Sequence, residues 1–119
     1  MNTFSENTFL TRAITTLNQL DIAIECAAQA ADIDIETNRH DHLLEIEFSD
    51  GNKIIINLQA PMQEIWVASK AGGFHFRYNT TDHCWLDTRD KQELYQLVTQ
   101  LIHQHTNTML NLKSNSHEQ

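Results

Sequence analysis

The sequence predicts an α+β domain, a two-layer α/β sandwich. Its antiparallel sheet of about six strands carries an N-terminal and a C-terminal helix on one face. Three observations predict it. One stretch near each end repeats apolar residues at three- and four-residue steps. Between them, short runs alternate apolar and polar residues with period two. No segment between those runs has room for a crossover helix, so successive strands pair antiparallel.

Thr3 to Glu6 reads as a capping box, each side chain taking an orphan amide of the other. From there to Ala31 neither Gly nor Pro intervenes, and Phe9, Leu10, Ala13, Leu17, Leu20, Ile24, Ala27 and Ala31 form one apolar stripe. Asp21 and Glu25 lie roughly 80° and roughly 120° from its centre, exposed i,i+4 neighbours. Like charges at that spacing cost roughly 0.2–0.5 kcal/mol. Asp32-Ile33-Asp34-Ile35-Glu36 then alternates strictly. This predicts an edge strand with Ile33 and Ile35 inward and a charged outer side that discourages further pairing.

After a polar turn over Asn38–Asp41, Leu44, Ile46 and Phe48 face the core, and Asp50-Gly51 closes a hairpin. Ile54, Ile56 and Leu58 return inward, leaving Lys53, Ile55, Asn57 and Gln59 on the opposite face. Pro61, without an amide for the ladder, ends that strand. Glu64–Ala68 turns Ile65 and Val67 inward and Trp66 outward. Beyond Gly72-Gly73, Phe74, Phe76 and Tyr78 alternate with His75 and Arg77. Asn79–His83 is a loop, and Cys84–Leu86 a last strand with Trp85 on the water-facing side. Asp90 with Glu93 offers a second capping box. Leu94, Leu97, Val98, Leu101, Ile102 and His105 predict a helix ending near Thr106, with His105 packed. Met109, Leu110 and Leu112 are expected to fold back, and Lys113 onward to fray.

At 119 residues the chain is expected to be a single domain spanning 1–119, with its core at about 5–106 and a tail at 107–119. No apolar run spans a membrane, and the start lacks a secretory signal, which predicts a cytoplasmic protein. Cys26 and Cys84 are far apart and in no paired motif, which argues against a disulfide scaffold or a thiolate zinc site. Eight bases against 16 acids leave no footprint for nucleic acid.

The charge is localised. Asp21–Asp50 holds nine of the 16 carboxylates and one cation, Arg39, which accounts for the whole net charge of −8. Such a belt attracts cations or basic surfaces, although an acidic face kept wet for solubility explains a charge run as well. Hard cations take oxygen ligands, so Asp21, Glu25, Asp32, Asp34 and Glu36 form a candidate metal site, open, water-completed and weak. His40-Asp41-His42 is a poorer metal motif. Trp66, exposed among Asn57, Gln59 and His75, has the profile of a binding hot spot. No catalytic constellation is present: His83 and Cys84, adjacent where the loop enters the last strand, are expected to face opposite ways.

The run Ile54-Ile-Ile-Asn57-Leu-Gln59-Ala-Pro61, then Ile65-Trp66-Val67-Ala68 and Gly72-Gly73-Phe74-His75-Phe76, resembles the frataxin family in its bacterial form. Asp32-Ile-Asp34 after a long helix, and Trp85 before the last helix, fit the same pattern. The resemblance extends from about Ser5 to Thr106. It implies a monomeric iron-binding accessory protein of iron–sulfur cluster assembly that oligomerises with iron. Its implied partners are a cysteine desulfurase and the iron–sulfur scaffold protein, with the chain acting as iron donor or as regulator. Iron, Fe2+ or Fe3+, would be bound weakly, and other divalent cations would substitute. The resemblance assigns iron to Asp21, Glu25, Asp32 and Asp34, and the partner surface to Asn57, Gln59 and Trp66. The ridge is thinned here, since Ile22, Cys26, Ala28 and Ala30 stand where acids are expected. Two other readings remain open: a ferroxidase, which needs an enclosed cluster of carboxylates and histidines, and a metal-independent acidic interaction module.

Overall fold

The stretch free of Gly and Pro forms one helix, α1 (Thr3–Ala31), in the computed structural model, which describes residues 3–112 and their side chains from Asn7. Six strands follow: β1 (Ile35–His40), β2 (Leu43–Phe48), β3 (Lys53–Gln59), β4 (Glu64–Ser69), β5 (Gly72–Asn79) and β6 (Cys84–Asp87). A 3-10 turn at Ala60–Met62 joins β3 to β4, and α2 (Leu94–Thr106) comes last. Each strand pairs antiparallel with the next, in the order β1 to β6, so β1 and β6 are the sheet edges. Period-two alternation with short links gives this meander directly, because a hairpin returns the chain beside the strand it has just left. At the β2–β3 turn Gly51 adopts φ 88°, the conformation that an Asp-Gly hairpin requires of it.

One face of the sheet is covered by both helices, the expected α+β sandwich. Leu17, Leu20 and Ile24 of α1 meet Leu44, Ile46, Ile54, Ile56, Ile65 and Val67 of the sheet. Leu94, Val98, Leu101 and Ile102 of α2 complete the core. Burial of such side chains contributes about 1.5–3 kcal/mol each, which is what orders the two layers. His105 packs as expected, stacked on Phe48 with ring centroids 4.3 Å apart.

Several boundaries differ from the expectation, each for a local reason. Asp32 does not open a strand; it is the left-handed residue (φ 56°) that ends α1. Its amide donates to the Gln29 carbonyl and the Ile33 amide to the Ala28 carbonyl, the paired bonds of a Schellman cap. β1 therefore begins at Ile35 and continues through Asn38, Arg39 and His40, and the turn is Asp41-His42. Ala28, not Ala27, is the buried residue late in α1, and Ala31 is exposed.

Trp85 is the largest correction. It pairs with Tyr78 across β5–β6, which places it on the helix-covered face, 4% exposed, with its indole N–H donating to Thr16 Oγ1 at 2.9 Å. Glu93, not Asp90, is the N-cap of α2, accepting from the Tyr95 and Gln96 amides; Asp90 accepts from the Gln92 amide one turn earlier. In the tail Leu110 is buried and Leu112 packs on the core, while Met109 is 62% exposed. The Thr3–Glu6 capping box and the residues from Lys113 lie outside those described at side-chain level. His83 sits in the turn before β6, at φ 57°, not on the strand.

Candidate functional site

The acidic belt is built where α1 lies against the β1 edge. Arg39 Nε donates to Asn18 Oδ1 at 3.0 Å, and Thr37 Oγ1 donates to Glu25 Oε2 at 3.0 Å. These bonds join one flank of α1 to the inward side of β1. Asp21, between Asn18 and Glu25 along the same flank, is half-buried instead of exposed, and its Oδ1 is buried without a hydrogen-bond partner. Asp32 caps the helix, Asp34 is exposed in the lead-in to β1, and Glu36 is exposed on the strand, opposite Glu47. The alternation of β1 thus sends Glu36 to the side away from Glu25. The five carboxylates follow one edge but do not converge. Among the described residues no three His, Cys, Asp or Glu side chains form a group that could hold a metal ion. Any cation there keeps most of its own water, the open chemistry that oxygen ligands on a surface allow.

The second surface is the sheet face that no helix covers. Register places Asn57 opposite Trp66 and Trp66 opposite His75, so the three form one row across β3, β4 and β5. The Trp66 and His75 rings stack, centroids 4.3 Å apart and planes 7° from parallel. Gln59 Nε2 donates to Asn57 Oδ1 at 3.4 Å. Beneath the row lies a residue that the sequence reading passed over. Glu64, on the same outer face, is only 4% exposed. Its Oε1 accepts the Trp66 indole N–H at 2.8 Å and lies 3.6 Å from His75 Nδ1; its Oε2 accepts from Arg77 Nε at 2.8 Å. The signal was there in period two, since Glu64 precedes Trp66 by two positions and must share its face.

This carboxylate turns three side chains into one fixed tile. An indole clamped by a charge-assisted bond and stacked on a second ring loses its rotameric freedom before any partner arrives, which lowers the cost of binding. At the margin of the face Lys53 Nζ lies 3.1 Å from Glu45, and that bond holds the lysine above its usual value. Cys84 is no activated nucleophile: burial, then Glu93 and Asp82, push its thiol up.

Comparison with known proteins agrees with this architecture. The family model of the frataxin-like domain matches residues 2–108. The iron–sulfur cluster assembly protein CyaY of Cupriavidus metallidurans is 51% identical over 113 residues, 95% of this chain and 100% of that protein. Its namesake in Ralstonia pickettii is 49% identical over 94% of this chain and 97% of its own. Among solved structures, a frataxin from Psychromonas ingrahamii superposes with a TM-score of 0.77 at 26% identity, covering 96% of this chain and 100% of that one. A trimeric frataxin from Saccharomyces cerevisiae, complexed with ferrous iron, has a TM-score of 0.69 over 82% of this chain and 87% of that one; at 21% identity it supports the fold alone. A six-stranded meander under two helices, a family match over nearly the whole chain and relatives at about half identity lead to one conclusion: the chain belongs to the frataxin family.

Proposed function

We propose that this chain is a cytoplasmic, non-enzymatic accessory protein of iron–sulfur cluster assembly. It carries iron weakly on Asp21, Glu25, Asp32, Asp34 and Glu36. It docks on a cysteine desulfurase and its scaffold through Asn57, Gln59, Trp66 and His75, as a monomer that self-associates when iron accumulates. The role in assembly rests on the relatives' names. The single observation that carries the docking reading is the preformed Trp66–His75 stack above buried Glu64, on the sheet face left bare by the helices. A stack held flat by a buried carboxylate is unnecessary for a face that only meets water. The acidity of the belt is what favours a cation there, and because no three ligating side chains gather among the described residues, iron would sit on it as exchangeable cargo, not as an enclosed centre.

The test is a titration of iron(II) into the protein with and without the purified desulfurase, followed by calorimetry and by the rate of cluster formation. Iron binding together with desulfurase binding supports the proposal. The direction of the rate then distinguishes a donor, which speeds cluster formation, from a regulator, which slows it. Docking without iron binding would reduce the protein to an acidic interaction module. Catalysed oxidation of iron(II) would make it a ferroxidase and overturn the non-enzymatic role.

A further inference from the structure

Away from the acidic edge, between the N-terminal half of α1 and the β6 edge, the helix-covered side of the sheet opens into a cleft of about 560 Å³. Pockets that hold small molecules measure about 300–1,000 Å³. None of the belt carboxylates, and no member of the Asn57–Trp66–His75 row, lines it.

The wall of the cleft is aromatic and fixed. Trp85 is pinned by its bond to Thr16, and Tyr78 meets it edge-on, centroids 5.3 Å apart and planes at 70°. Arg12 rests on Tyr78, its guanidinium carbon 4.0 Å from the ring centroid. Among the described residues Arg12 has no carboxylate partner. A guanidinium seated on a ring keeps N–H groups free to grip a carboxylate. The opposing charge in the lining is Glu93, but both its oxygens are taken by the first amides of α2, at 2.9 and 3.1 Å. Its negative charge is thereby met by the helix end. Tyr95, also in the lining, is 6% exposed, and its hydroxyl is buried with no hydrogen-bond partner. Exposed Thr8, Thr11 and Thr15 give the mouth a polar rim.

The geometry points to a binding site for a small planar aromatic carboxylate, its ring against Tyr78 and Trp85 and its carboxylate on Arg12. In a chain of net charge −8, only a local cation can select an anion, and Arg12 is placed to do so. The polar rim disfavours a long acyl chain, and Arg12 disfavours a cationic ring.

Naphthoate and its neutral isostere naphthamide test the site against nitrogen-labelled full-length protein by NMR. Naphthoate is expected to shift the amides of Thr11–Gln19 and Cys84–Trp85 and the Trp85 indole, and to bind about tenfold more tightly than naphthamide, as loss of one charge-assisted pair implies. Arg12→Gln should erase that preference while Arg12→Lys keeps part of it, so failure of one variant to fold leaves the other informative. Naphthoate that leaves these amides unmoved at millimolar concentration would sink the proposal. So would equal affinity for the acid and the amide, or shifts centred on Trp66 and His75.

Discussion

Glu64 shows how one side chain can prepare a surface it does not itself present. Its carboxylate is the shared acceptor for Trp66 and Arg77, and removing it releases both. Glu64→Ala is expected to cost about 1–2 kcal/mol of stability, the lower part of the range for bonds to charged groups because Arg77 is largely exposed. Docking on the desulfurase should weaken about tenfold, since the indole must then be ordered at binding. Glu64→Gln keeps an acceptor for the indole and should lose less. Denaturant midpoints and binding titrations measure the two effects separately; lost stability with unchanged affinity would show that the stack needs no support.

Tyr95 gives a second residue-scale test. Burial, and then the charge of Glu93, push its phenol from 10.0 up to about 12. The folded state therefore holds its proton across a window in which the unfolded chain has lost it. Stability is full below pH 10 and falls as pH rises towards 12, by about 1.4 kcal/mol per unit. Tyr95→Phe should remove that alkaline slope. At neutral pH it should leave stability unchanged or slightly raised, since the hydroxyl it deletes has no partner. Unfolding curves between pH 9 and pH 12, where the two proteins should diverge, check this.

At the scale of elements, what was legible depended on period and on loop parity. α1, β2 to β5 and α2 follow from unbroken periodicity, and the inward sets of β3 and β4 emerged residue for residue. The facing of Trp66 and His75 came with them. β6 did not, because four residues after an irregular loop carry no parity of their own, and a one-residue slip reverses Trp85. The alternation of Asp32 to Glu36 was real as exposure, yet its first half belongs to the cap of α1. A left-handed cap leaves no period to read, and Asp occupies it less readily than Gly. Asp32→Gly should accordingly raise stability by about 0.5–1 kcal/mol through relief of that conformation. Thermal melts are the measurement, and an unchanged or lower melting temperature would show that left-handed Asp32 holds no strain for glycine to relieve. The Glu64 network was beyond the sequence for another reason. Period two places it beside Trp66, but only the three-dimensional register brings Arg77 within reach.

At the scale of the whole molecule, the nine carboxylates of Asp21–Asp50 run from α1 across β1 and β2 to the β2–β3 turn, and on the outer sheet face Glu45 meets Lys53 and Glu64 meets Arg77. Repulsion within the belt is relieved by anything that screens or neutralises it, so salt or divalent metal should raise the melting temperature. Asp21→Asn with Glu25→Gln should reduce the gain from metal. A melting temperature indifferent to both additions would leave the belt no role as a cation site.

Docking should divide between the two surfaces by its response to salt. Exposed charges are screened over about 8–10 Å at physiological ionic strength, so the belt acts chiefly on the approach of a basic partner. Asp32→Asn with Asp34→Asn preserves the cap, because Asn tolerates the left-handed conformation, and should weaken binding mainly at low salt. Trp66 contributes by contact area, and loss of a hot-spot aromatic costs about 2 kcal/mol or more, roughly thirtyfold in affinity. Trp66→Ala should impose that loss at every salt concentration. Its stability cost should be about 1–3 kcal/mol, because the half-buried indole gives up both the His75 stack and its bond to buried Glu64, while Glu64 keeps Arg77. Association rates and equilibrium affinities at low and high salt resolve the two contributions. A Trp66→Ala defect that disappeared at high salt would mean that the aromatic row merely accompanies the charge and is not the seat of contact.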